Sequence, residues 1–210
     1  ELLQQWRSKR IFVVAIVFVL FGMGSPLLAK FTPEILKSVE GADMFADLIP
    51  VPTAADAMAQ YTKNLTQFGF ILAILLGMGA VVGEKERGTM AMILSKPIPR
   101  WAVLSSKFTA QFLVYLLAFV VAGLGAYYYT HILFGPFDIG VFATINLVLI
   151  AWLIIFVAVT LLASVLGSST GAAAGIGFGL SVVLLLAGSI PKIAPLAPSG
   201  LTAWAGQLGA

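Results

Sequence analysis

A chain of 210 residues in which 60% are hydrophobic and 10% charged, with a mean hydropathy of +1.03, carries more apolar surface than a water-soluble domain can hide. Such domains run at about 45–50% apolar and about 25% charged residues. The composition predicts an all-α polytopic membrane protein, one transmembrane domain over residues 1–210, with room for about five crossings of a hydrocarbon layer roughly 30 Å thick. The absence of cysteine excludes disulfides and thiolate chemistry, and a net charge of +3 without a basic soluble patch excludes a nucleic-acid partner.

Residues 1–10 put Leu2, Leu3 and Trp6 on one side of a helix and end on Arg7, Lys9 and Arg10. That pattern fits an interfacial helix, and equally the basic flank of a span. The first span is expected over 11–29, with Pro26 near its far end, where a missing backbone donor costs least. This run is as long as a span and lacks a convincing small-residue cleavage site, so no signal peptide is evident. Residues 31–67 are charged enough to form an external segment. Within it Thr32, Pro33 and Glu34 read as N-cap, first helical position and early acid. Thr53 and Asp56 read as a capping box with Asp in place of Glu. Two short external helices follow from these signals, the second running without a break into a span over 68–82.

Residues 84–107 hold the densest charge and form a polar loop. A third span is expected over 108–129, closing on Tyr127, Tyr128 and Tyr129 at headgroup level. A fourth is expected over 141–166 and a fifth over 172–190, separated by a tight uncharged turn. Residues 191–210 then form an external segment in which Pro191, Pro195 and Pro198 oppose a long helix. Of the 12 Lys and Arg residues, 8 lie in the N-terminal flank and the 84–107 loop. The positive-inside rule puts those two segments in the cytoplasm. Both ends read as cut, and a sixth span is expected beyond Ala210.

The 84–107 loop is the informative stretch. Gly88 can release the helix that ends the second span, and Thr89 can cap a new one with Met90, Ile93 and Leu94 on one face. Pro97 biases Lys96 away from helix and stops the new helix after about two turns. A short amphipathic helix between charged flanks suits docking into a groove on another protein.

At Glu84, Glu86, Gly88, Thr89, Lys96, Pro97, Arg100 and Lys107 the sequence resembles the type-2 ABC exporter permease family. Its members carry a cytoplasmic E-x-E-x-G-T element, a short helix, a K/R-P-x-x-R turn and a lysine opening the third span. The resemblance implies a six-span plan with five spans present here, in the plasma (inner) membrane of a prokaryote, N-terminus cytoplasmic. It further implies a second permease copy or paralogue, surrounding membrane lipid, and separate ABC ATPase subunits seated on the loop. Met90 to Leu94 would then supply the apolar contact, and Glu84, Glu86 and Arg87 polar contacts that set its register. The chain has no G-x-x-x-x-G-K-[ST] loop, so no cofactor is expected in it. ATP and Mg would be bound by the partner ATPase, leaving this subunit non-catalytic.

Other classes fit less well. A gradient-driven transporter needs ionisable groups at membrane depth, and the spans as drawn hold none. Their polar residues, Gln111, Asn146, Thr160 and Ser164, suit hydrogen bonds between helices. An intramembrane enzyme needs a nucleophile with a base, or metal ligands; His131 is the single histidine and falls at the outer interface. A machine that transmits force without passing a substrate stays open, and an apolar path suits lipids, hydrophobic natural products, drugs or peptides alike. Gly171, Gly175 and Gly179 clear one face of the fifth span, with packing inside the subunit the expected use and packing against a partner the alternative. Asn64, Leu65 and Thr66 match a glycosylation triplet by chance.

Overall fold

A computed structural model describes residues 2–7, 9–38, 51–95, 97–190, 192, 194 and 197–209. Their regular structure is helical. A short helix α1 (Leu2–Arg7) is followed, after Lys9 in a left-handed turn, by α2 (Arg10–Lys37). Then come α3 (Ala54–Gly77), α4 (Val82–Glu86), α5 (Thr89–Leu94), α6 (Arg100–Phe134), α7 (Ile139–Leu166), α8 (Thr170–Ala187) and α9 (Pro198–Gly209). Five stretches are long and apolar enough to cross a membrane: Ile11–Lys37, Ala54–Glu86, Arg100–Phe134, Ile139–Leu166 and Thr170–Ala187.

The local signals explain most boundaries. At α3, the Thr53 hydroxyl accepts from the Asp56 N–H at 3.3 Å while the Asp56 carboxylate accepts from the Thr53 N–H at 2.8 Å. This is the reciprocal capping box, and α3 runs on unbroken from it. Asp138 caps α7 by accepting from the Gly140 N–H, and Ser169 caps α8 by accepting from the Ala172 N–H.

Thr32 behaves otherwise. Instead of starting a new helix it lies inside α2, which continues through Pro26 and Pro33 to Lys37. Its hydroxyl donates back to the Leu28 carbonyl at 2.5 Å, and the Ser25 hydroxyl donates likewise to the Phe21 carbonyl. Both hydroxyls bond the carbonyl one turn back, a pattern that tends to bend a helix, and each stands directly before a proline that itself removes one backbone bond. The segment after Ile190 also differs from expectation. Pro198 stands at the start of α9, where its missing N–H is an orphan anyway, and Ala205 of α9 is buried against α7 and α3.

α2 packs on α6 and α3, α3 on α7, and α7 on α8. Val14 and Phe18 of α2, Tyr61 and Leu65 of α3, Phe119 and Ala122 of α6, and Ile145, Leu149 and Phe156 of α7 form one continuous core. In a bilayer this core gains nothing from expelling water, so close van der Waals fit has to hold it. Two glycines set that fit. A Cβ on Gly22 would stand 2.7 Å from the Ala122 Cβ, and one on Gly77 would stand 2.6 Å from the Thr160 Cβ. On α8 the packed face is Ala173, Gly177 and Ser181. Among the described residues Gly171, Gly175 and Gly179 have nothing within 4 Å of an added Cβ. The expected contact of that stripe inside the subunit is not made among the described residues, because the face points away from α7.

Candidate functional site: the junction between α3 and α6

The second apolar helix breaks after Gly77. Residues 78–81 turn, and the freed backbone groups are met by one side chain from α7. The Ser164 hydroxyl accepts from the Val81 N–H at 2.9 Å and the Val82 N–H at 3.1 Å, and donates to the Met78 carbonyl at 2.8 Å. Ser164 is fully buried. It serves as an external cap for the α4 start and fixes where α4 leaves the bundle.

The next three charged residues each bind a different helix. The Lys107 ammonium on α6 donates to Glu84 Oε1 at 2.5 Å, with the Lys107 side chain only 2% exposed. The Lys85 ammonium donates to the Val165 carbonyl at 2.5 Å, in the last turn of α7. The Glu86 carboxylate accepts from the Thr170 N–H at 2.9 Å and the Thr170 hydroxyl at 2.5 Å, at the first residue of α8. The signs match the helix ends: a cation meets the C-terminal carbonyls of α7, an anion the N-terminal amides of α8. A tripeptide thereby ties the loop to α6, α7 and α8 together.

Gly88 then takes φ +72° and is itself the N-cap of α5. Thr89 does not cap α5 with its side chain. Its hydroxyl donates back to the Glu84 carbonyl at 3.2 Å, closing the end of α4. On α5, Met90 and Ile93 are half-buried and Met92 is 67% exposed. The Leu94 side chain and Lys96 lie outside the described residues. Arg87, Pro97 and Arg100 are exposed. α6 starts at Arg100, two turns before the expected span, so Lys107 sits inside the helix.

Sequence reasoning named Glu84 and Glu86 without their partners. It also missed Lys85, Ser164 and Thr170 as members of the junction, together with Trp101, which is 71% exposed. One signal was available for Thr170: the topology puts the turn between the fourth and fifth spans on the same side as this loop.

The remaining polar residues stay structural. The Tyr61 hydroxyl donates to Asn146 Oδ1 at 2.6 Å, joining α3 to α7. The Thr160 hydroxyl donates to the Val157 carbonyl of its own helix. Asn64 is buried and donates to the Ser25 hydroxyl at 2.9 Å, which leaves the glycosylation triplet inaccessible. The Gln111 amide is buried without a hydrogen-bond partner among the described residues. His131 is exposed and stacks on Tyr127.

The sequence model of the ABC-2 family transporter proteins matches residues 1–198. The chain belongs to that family. It is also 29% identical over 194 residues to the uncharacterized transmembrane protein YxlG of Bacillus subtilis (strain 168), covering 90% of this chain and 74% of the relative. ABC-2 membership makes this a polytopic membrane subunit of an ABC transporter, a type of subunit that associates with ABC ATPases. The junction in which Glu84, Lys85 and Glu86 meet three helices thus lies in an ABC-2 permease chain.

Proposed function

We propose that this chain is the permease subunit of an ABC exporter, and that the loop from Glu84 to Arg100 couples it to a separate cytoplasmic ATPase that binds ATP and Mg. The observation that carries this reading is the junction itself. A short helix, α5, exposes Met92 to water while its root is fastened through Glu84, Lys85 and Glu86 to α6, α7 and α8. A push on α5 therefore reaches three spans at once. Exposed apolar side chains on an aqueous loop need a partner to cover them, and Met92, Ile98 and Trp101 offer such contact. Arg87 and Arg100 supply exposed charge beside it, while Glu84 acts through Lys107 instead of touching the partner.

In this reading the N-terminus and the loop face the cytoplasm of a prokaryotic cell, in its plasma membrane, as the Lys and Arg distribution suggests. A second permease copy covers the Gly171, Gly175 and Gly179 face of α8, which no part of the described chain touches. The test is co-purification of the chain with an ABC ATPase expressed beside it, comparing the parent with Met92→Asp and Trp101→Ala. The substitutions are expected to lower ATPase recovery and transport together, without changing thermal stability. Undiminished recovery with both variants would remove the docking assignment. Intact ATPase coupling with no cargo movement across vesicles would favour force transmission over export.

A further inference from the structure

A groove of about 240 Å³ runs along the seam between α6 and α7. On α6 it extends from Phe119 to Tyr127 and on α7 from Ile139 to Ile150. At about 1.5 Å per residue these walls are about 12 and about 17 Å long. That is the depth of one leaflet of a hydrocarbon layer roughly 30 Å thick.

The polarity along the groove is graded. At its inner end, near Phe119 and Ile150, it reaches the middle of two membrane-crossing helices. At its outer end the Tyr127 hydroxyl donates to the Phe137 carbonyl in the turn between α6 and α7, and the Tyr127 ring stacks on His131. Amphipathic rings of this kind belong at headgroup level. Halfway along, Gly123 bares the floor: a Cβ there would stand 3.1 Å from Asn146 Oδ1 and 3.3 Å from the Tyr61 hydroxyl. Those two groups bond each other, and the Asn146 amide also donates to the Phe142 carbonyl. The floor therefore asks for no polar ligand.

Water cannot fill such a space, since it needs two to four polar partners. An empty groove would forfeit the dispersion contacts of every wall atom. The exposed Val120, Leu124 and Ile139 line its open side among the described residues. We propose that the groove holds one acyl chain of a bilayer phospholipid, drawn from the leaflet on the side of the α6–α7 turn, with its headgroup beside Tyr127 and His131. This resident lipid is separate from any transported cargo and from the α3–α6 junction.

The experiment reconstitutes the full chain in phosphatidylethanolamine vesicles containing a phosphatidylglycerol with a photoactivatable diazirine midway along one acyl chain. After irradiation the adducts are mapped by peptide mass spectrometry. Val120, Leu124 and Ala143 should be labelled several-fold more than Val183 and Leu186, which are exposed on α8. Ala143→Phe, which fills the groove from an exposed position, should abolish that excess and leave the α8 labelling unchanged. Leu124→Trp, across the groove mouth, provides a second variant with the same expectation. Equal labelling of the groove and α8 in the parent protein would mean ordinary surrounding lipid and would overturn the proposal. So would protein-to-protein adducts at these positions in place of lipid adducts, which would assign the groove to a second copy of the chain.

Discussion

Glu86 and Thr170 are 84 residues apart and joined by two hydrogen bonds, the Thr170 N–H and hydroxyl both donating to the Glu86 carboxylate. The pair is exposed, so it adds little to global stability. Its consequence is mechanical: it fastens the loop below α4 to the first residue of α8. On the proposed function, Glu86→Ala and Thr170→Val should each lower coupled transport and leave unfolding temperature almost unchanged. The double variant should be no worse than either single one, because both remove the same link. Additive losses in transport assays would separate the two residues.

Glu84 and Lys107 form a buried ion pair at 2.5 Å, and the two possible single deletions are not equivalent to the double. Lys107→Met leaves a buried carboxylate uncompensated, at a cost of about 3–5 kcal/mol. Glu84→Gln with Lys107→Met together leaves no buried charge and should recover much of that loss. Thermal unfolding in detergent of the two singles and the double checks this ordering.

Ser164 serves three backbone groups of the α3–α4 break. Ser164→Ala leaves the Val81 and Val82 N–H groups without their acceptor inside the bundle. The expected destabilisation is about 1–3 kcal/mol per group left unsatisfied. Cysteine accessibility of residues placed on α4 should rise in the same variant, since the break is no longer pinned to α7.

The glycines of α3 and α8 should respond oppositely to the same change. Gly77→Ala forces a Cβ into Thr160 and is expected to cost about 1–3 kcal/mol through overpacking. Gly175→Ala meets nothing among the described residues and should be neutral, or stabilising by about 0.5–1 kcal/mol through helix propensity. Gly175→Leu should lower the dimer fraction without lowering subunit stability. The measurements are unfolding temperature and the distribution of oligomers in detergent.

Membrane-spanning helices were legible in this sequence because the bilayer imposes a one-dimensional rule. A run of apolar residues of the right length must be helical, whatever its neighbours. The capping box at Thr53 and the stop of α5 before Pro97 were legible for the same reason, each depending on residues within one turn. The motif from Glu84 to Thr89 was equally visible as a family signature.

Tertiary structure alone decided how that motif is used. Which helix each of Glu84, Lys85 and Glu86 meets depends on residues 23, 80 and 84 positions away, and no local pattern encodes that separation. The same holds for α2 passing through Pro33, where a helix-start signal yields to the continuing turn. It holds too for the glycines, where equal spacing marks both packed and open faces and only the position of α7 tells Gly177 from Gly175. Local chemistry determines where a helix forms; which of its faces is covered is set by the helices that arrive beside it.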